Sequence, residues 1–266
     1  MERLHGNSAA YWEYQVRYAK EILFPLLEQW GWEIPDKRVL EVGCSEAGIL
    51  QAFADSGAKV HGVEISEGRV EAALALQRTP FPVQVADVCD PKGVDGLKGP
   101  FDLIILRDVI EHLFDRDSAL RNLANLLSDK GRVLITFPPW FMPFGGHQQV
   151  LKTFLRKLPW LHLLPLTFYK RLLRWGVRGN QSLYKDLMNT RATGLTIRAF
   201  QNLQKRTGFT PDREIRWLIN PAYTIKFGLQ SREAGMLGSI PVVNELAVTS
   251  VYAFLRKADE IGGTEG

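Results

Sequence analysis

Apolar residues recur along this chain at two different spacings, and the alternation between them outlines a fold. Trp12, Val16, Ala19, Leu23 and Leu26 follow one another at three- and four-residue intervals. That spacing predicts an amphipathic helix over 8–30, interrupted near Pro25, whose ring removes a backbone donor. The pattern then changes. Arg38-Val39-Leu40-Glu41-Val42 is a short, nearly continuous apolar run after the turn signal Pro35-Asp36, the mark of a strand buried on both faces. A helix over 49–56 closed by Gly57, a strand over 59–64, a helix over 68–77, and strands over 82–86 and 101–106 follow. A helix over 117–127, a turn at Lys130-Gly131 and a strand over 132–137 complete this stretch, and Pro138-Pro139 stops it.

Leu, Trp, Phe, Lys and Arg dominate from there to about residue 195 with no clear strand, which predicts a helical insertion. The alternation resumes with a helix over 196–207 and strands over 212–218 and 248–255. The predicted architecture is therefore α/β: a doubly wound, mostly parallel, seven-stranded sheet with an N-terminal helical cap and a helical insertion after the fifth strand. In residues, the cap covers 1–36, the core 37–140, the insertion 141–195 and the return to the sheet 196–257. The Gly- and Glu-rich tail, 258–266, is expected to fray. Two short stretches, Trp217 to Pro221 and Lys226-Phe227-Gly228, read as a further loop on the same side as the insertion.

Composition narrows the class. Of 266 residues, 45% are hydrophobic and 23% charged, values that allow a sizeable core and exclude a disordered chain. Cys44 and Cys89 are too few for a disulfide framework, so a reducing cytoplasm is the simplest expectation. The N-terminal residues lack the basic and apolar regions of a signal peptide, and no apolar run reaches the ~18 residues of a spanning helix. A net charge of +4 is too mild to imply nucleic acid.

The chemistry begins where the first strand meets its helix, in Glu41-Val42-Gly43-Cys44-Ser45-Glu46-Ala47-Gly48. Small residues there permit a tight turn and close approach of backbone to a ligand. The strict Gly-x-Gly-x-x-Gly of dinucleotide sites is absent, because Ser45 stands in the place of its second glycine. Glu64 ends the second strand 21 residues after Gly43, the separation at which a carboxylate accepts hydrogen bonds from ribose hydroxyls. Asp87 ends the third strand, where a carboxylate can accept from an exocyclic amine. Each alone is also what a surface acid at a strand end would look like. Three strand ends in register are harder to assign to chance.

These residues resemble the class I S-adenosylmethionine (SAM)-dependent methyltransferases, in particular the type 11, ubiquinone-biosynthesis-like group. The resemblance runs through Val39-Leu40-Glu41-Val42-Gly43-Cys44, Val63-Glu64-Ile65-Ser66, Ala86-Asp87-Val88 and Phe101 to Leu113, whose segment Arg107-Asp108-Val109-Ile110-Glu111-His112-Leu113 is the most specific. It implies a Rossmann-like methyltransferase fold and SAM as cofactor, with S-adenosylhomocysteine as product. Glu41 and Gly43 would border its methionine part, Glu64 the ribose, Asp87 the adenine, and Arg107 and Asp108 would form the loop beside the sulfonium, with Cys44, Ser45, Gly48, Ile65 and Val88 also among the cofactor-binding positions. Where the family reads Gly-x-Gly-x-Gly from position 43, this chain carries Ser45 and Ala47, each adding a small side chain near the cofactor.

For the reaction itself two histidines stand out. His112 follows the fourth strand and His147 the fifth, in Gly145-Gly146-His147-Gln148-Gln149, where a loop can overhang the transfer site and orient a polar acceptor. Either is equally a packing residue. No second His or carboxylate stands at a ligand spacing, so no metal site is expected. Tyr11, Tyr14 and Tyr18 share one face of the first helix, and Tyr14 is placed over the cofactor. In the insertion, Lys152, Arg156, Lys157, Lys170, Arg171, Arg174 and Arg178 interleave with Phe154, Leu158, Trp160, Leu161, Phe168, Leu172 and Trp175. Such a pattern suits a membrane surface or an amphiphilic acceptor, and equally a basic helical face packed on the core. The expected function is methyl transfer from SAM to a small, amphiphilic molecule. An NAD(P)-dependent oxidoreductase and a catalytically silent SAM-binding scaffold are the alternatives.

Overall fold

The computed structural model describes residues 7–258. The frayed tail expected from residue 258 onward falls, beyond Ala258, outside the described residues. Helix α1, Ser8–Tyr18, starts at Asn7, whose side chain accepts from the Ala10 amide. It runs through a wide π turn, Ala19–Leu23, into α2, Phe24–Gln29. The Phe24 amide reaches back five residues to the Ala19 carbonyl just before Pro25, so the missing proline donor widens the helix instead of ending it.

Five parallel strands follow: β1 Arg38–Val42, β2 Lys59–Glu64, β3 Val83–Val85, β4 Phe101–Arg107 and β5 Leu127–Phe137. Between them lie α3 Gly48–Asp55, α4 Glu67–Leu76, α5 Pro91–Val94 and α6 Arg116–Leu126. After β5 come three short 3-10 turns and helices α7 Leu166–Gly176 and α8 Gln181–Ala192. The chain then forms α9 Ile197–Arg206, β6 Phe209–Ile219, α10 Ala222–Phe227, β7 Arg232–Glu233, α11 Val243–Ala247 and β8 Ser250–Lys257. The spatial order is β3-β2-β1-β4-β5-β8-β6-β7, with β8 antiparallel to both β5 and β6, and β7 antiparallel to β6.

The sheet has eight strands where the apolar pattern predicts seven. The extra one, β7, is a two-residue edge pairing against β6 beyond a bulge, too short to leave any periodicity. Two further differences concern local turns. Lys130 and Gly131 lie within β5 rather than in a turn before it. Lys226 and Phe227 belong to helix α10, capped by Gly228, and not to a loop.

Alternation along β1 and β4 explains the layers. Val39, Leu103 and Ile105 face α1 and α3, with Phe53 fully buried beside them, while Leu40, Val42, Ile104 and Leu106 face α6 and α9 around Phe200. Because helices cover both faces, β1 and β4 carry apolar residues on both sides. A third, separate cluster of Leu151, Leu155, Leu161, Tyr169, Leu173, Val177 and Leu187 holds the segment between β5 and α9 together. The register sets Val42 opposite both Val63 and Leu106, so the carboxyl ends of β1, β2 and β4 are level at the point where strand order reverses. That edge is where doubly wound sheets bind ligands.

Candidate active site

A cavity of about 1040 Å³ opens over these strand ends. Its floor starts at Gly43, with φ +66°, where a Cβ would stand 2.5 Å from Val109 Cγ2; only glycine fits both constraints. Ser45 and Ala47 are also left-handed, at φ 56° and 59°. The turn thus keeps a glycine-type backbone while carrying side chains, at a cost of order 1 kcal/mol per residue. Gln15 of α1 clamps the loop from behind: its Nε2 donates to the Cys44 carbonyl and its Oε1 accepts from the Gly48 amide.

Glu64 closes the next side. Its two oxygens accept from the amides of Ser45 (3.0 Å) and Ser66 (3.1 Å), which fixes the carboxylate at the cavity wall with lone pairs to spare. Arg69 of α4 donates to Ser45 Oγ from the same side. Ile65, 67% exposed, lies over the opening. Asp87 accepts from the Cys89 amide through one oxygen, and Val88 forms the apolar wall below it.

At the opposite end, buried Arg107 donates to the Tyr11 hydroxyl (2.8 Å) and lies over the rings of Tyr14 and Tyr18. Asp108, left-handed at φ 54°, is held by Thr136. Lys226 of α10 reaches over the Tyr14 ring, and burial together with Arg107 holds its ammonium below the usual lysine range. Two cations and one carboxylate therefore face one end of the cavity.

The middle of the cavity carries His112 and His147, with ring centroids 5.0 Å apart. Burial lowers both imidazoles, His147 to about 4, so both are neutral at physiological pH. Glu111 is buried beside them, its carboxyl raised by desolvation and by Asp108. Ligand atoms of Glu111, His112 and His147 lie within 4.8 Å of one another. The expectation of no metal site rests on sequence spacing, and these three donors come together only in space. Glu111 and His112 are adjacent on one 3-10 turn, whereas His147 arrives from the loop after β5, a juxtaposition no sequence spacing displays.

Of the residues selected from sequence, Gly43, Ser45, Glu64, Ile65, Asp87, Val88, Arg107, Asp108, His112 and His147 line the cavity. Glu41, Cys44, Gly48 and Tyr14 do not. Glu41 is buried beneath the floor, its carboxyl pushed up to about 8 by desolvation against the pull of Arg107. Cys44 is fully buried with its thiol toward Gly62. Gly48 packs on the Trp12 carbonyl, and Tyr14 supports Arg107 and Lys226 from behind while Tyr11 reaches the cavity. Gln148, read with His147 as orienting an acceptor, is instead buried and donates to the Pro143 and Leu158 carbonyls. Sequence reading missed α8 and its cap, where Asn180, Asp186 and Asn189 line the cavity, and Tyr223 and Lys226 of α10. Only Lys226 was flagged at all, through its place in an unexplained loop.

A family model described as a methyltransferase domain matches residues 11–214. The chain belongs to that methyltransferase family. The ubiquinone biosynthesis O-methyltransferase of Pseudomonas aeruginosa (strain LESB58) is 26% identical over 101 residues, 38% of this chain and 44% of that protein. The chain thus spans less than half the length of this curated relative. Among solved structures, a protein from Pyrococcus horikoshii matches over 92% of this chain and 91% of its own with a TM-score of 0.57 at 15% identity. An S-adenosylmethionine-dependent methyltransferase from Mesorhizobium loti matches over 88% and 97%, with a TM-score of 0.54 at 18% identity. These likenesses show the fold, and the family model places residues 11–214 among methyltransferase domains.

Proposed function

We propose that this methyltransferase moves a methyl group from SAM to a small amphiphilic acceptor by in-line displacement. The observation that carries the proposal is the placement of Glu64, Asp87 and the Arg107–Asp108–Lys226 group in sequence along one cavity. The residues fit the cofactor piece by piece. Glu64 retains lone pairs for two ribose hydroxyls, Asp87 an oxygen for an adenine amine, and the mixed charges of Arg107, Lys226 and Asp108 suit a zwitterionic amino acid. When bound, SAM supplies an electrophilic methyl on a positively charged sulfur.

The chain's own task is alignment and exclusion of water, effects that contribute roughly 7 to 11 kcal/mol when geometry is good. A cavity of about 1040 Å³ is at the upper end for one ligand, which leaves volume for an acceptor beside the cofactor. We read 141–195 as the lid over that volume. Neutral His112 and His147 border it and present imidazole nitrogens to a polar acceptor.

The amphiphilic character rests on the lid's outer surface. Phe154, Phe168 and Trp175 are 62%, 64% and 56% exposed, the Phe154 and Trp175 rings stand 5.6 Å apart, and Lys157, Arg171 and Arg174 of the same segment are exposed as well. Exposed aromatic and basic residues interleaved in one segment favour an anionic lipid surface, from which a lipid-like acceptor would enter. Among the described residues no helix is long and apolar enough to cross a membrane. Calorimetric titration of the chain with S-adenosylhomocysteine and with NADH tests the cofactor: binding of the first alone is expected, and binding of NADH alone overturns it. Flotation with phosphatidylglycerol vesicles tests the surface. Recovery equal to that with neutral phosphatidylcholine would remove the lipid reading and leave the methyl transfer standing.

A further inference from the structure

We infer that Glu111, His112 and His147 form a binding site for a divalent transition-metal cation, with Zn²⁺, Co²⁺ and Mn²⁺ as the class of ion. The inference rests first on geometry. One donor atom from each residue lies within 4.8 Å of the other two, so a single ion between them can approach the ~2.0–2.2 Å at which imidazole nitrogens and carboxylate oxygens bind zinc. The side chains come from two elements, the 3-10 turn Ile110–His112 and the loop entering Gln148–Val150, so the site is a tertiary construction and not an accident of one helix face.

The second observation is independent of that geometry. Glu111 is 3% exposed, and neither carboxylate oxygen has a hydrogen-bond partner. The nearest cationic or imidazole nitrogen, His112 Nε2, is 3.8 Å from Oε1, beyond hydrogen-bond range. A buried carboxyl with both oxygens unsatisfied costs several kcal/mol unless something occupies them. Arg116, at the start of α6, gives its guanidinium hydrogens to the Ile110, Glu111 and Thr193 carbonyls and makes no hydrogen bond to the Glu111 side chain. An ion held between the carboxylate and the two imidazoles satisfies what the protein alone leaves unpaired.

Ligand chemistry selects the ion. Two nitrogens and one carboxylate favour borderline transition metals over Mg²⁺ or Ca²⁺, which take mostly oxygen. Three protein ligands leave the fourth position free, the arrangement of a catalytic rather than a structural site. His112 and His147 both line the cavity, so the open position faces the volume assigned to the acceptor. An oxygen of that acceptor is the group that completes the shell, and the cation then withdraws electron density from it and favours loss of its proton to solvent. This last step rests on the methyl-transfer reading; the metal site does not.

The test uses the whole chain stripped with a chelator and then titrated with Zn²⁺, Mn²⁺ and Mg²⁺ by calorimetry, with Co²⁺ added separately for its visible spectrum. One equivalent of Zn²⁺ and of Co²⁺ should bind, Co²⁺ with the absorption of a low-coordinate site, and Mg²⁺ at least tenfold more weakly. Glu111→Gln, His112→Ala and His147→Ala should each weaken Zn²⁺ binding by more than ~10-fold, while His61→Gln, outside the cluster, should not. His147→Gln preserves bulk should His147→Ala fail to fold, and S-adenosylhomocysteine titration reports whether each variant is intact. Sub-stoichiometric Zn²⁺ and Co²⁺ on the folded wild type, or binding untouched by the three substitutions, overturns the site. Metal binding without S-adenosylhomocysteine binding would retain the site and remove the cofactor assignment; the reverse result would do the opposite.

Discussion

The floor and the insertion of this protein enclose one cavity but are built on different principles. The floor is a set of strand ends levelled by the register of β1, β2 and β4, and its loop is fixed by Gln15, by Glu64 and by two amides donating to the Val63 carbonyl. The insertion has its own small core and hangs on the rest through a few contacts. The Trp140 amide donates to Leu195, Arg116 to Thr193, and Arg191 ties Leu164 and His162 together inside it. Elements with few bonds to the main core are the ones that open locally. A rigid floor and a separately packed cover suit a site that must hold one ligand tightly and admit another.

Substitutions can break that contrast. Gly43→Ala should have the largest effect, since the new Cβ meets Val109 and the backbone is left-handed; roughly 3 kcal/mol of stability and most S-adenosylhomocysteine binding should go together. A melting temperature within a degree of wild type would show that the floor yields more than its hydrogen bonds imply. Glu64→Ala should leave the fold intact and weaken S-adenosylhomocysteine by about 1.5 to 3 kcal/mol, the magnitude for losing hydrogen bonds to a charged group. Unchanged affinity in calorimetry would mean the ribose lies elsewhere.

Arg191→Ala should act only on the cover. It removes the guanidinium bonds to the His162 and Leu164 carbonyls, so amides of 141–195 should exchange faster by a factor matching about 1 to 2 kcal/mol, while those of β1 and β4 do not change. Uniform loss of protection would merge the two regions into one cooperative unit. The smallest effect belongs to Ala47→Gly. Relief of the left-handed strain at φ 59° exceeds the added flexibility of glycine, and a gain of roughly 0.5 kcal/mol in denaturant unfolding is expected. A loss instead would show that the buried methyl matters more than the strain.

Legibility in the sequence follows the same division. Strands β1 to β5 could be read because each is a dense apolar run between turn residues, and Glu64 and Asp87 could be read because a strand end is a defined place in a doubly wound sheet. Ser45 and Ala47 looked like departures from a glycine pattern, and only the backbone reveals that both adopt the conformation glycine would have. Tyr11, Tyr14 and Tyr18 could be placed on one helix face but not ordered by depth. The cavity receives Tyr11, because Tyr14 is spent on Arg107 and Lys226. Gln148 gave no sign of being buried, since its two carbonyl partners lie in the same irregular segment.

By itself the sequence determined the α/β alternation, the crevice at the strand ends and the acids that border it, because these depend on periodicity and on separations within a single strand–loop–helix unit. The tertiary structure alone decided the eighth strand, the contribution of α8 and α10 to the cavity wall, and the meeting of Glu111 and His112 with His147. Those depend on which distant segments pack together, and packing is settled by the burial of whole surfaces rather than by any local pattern.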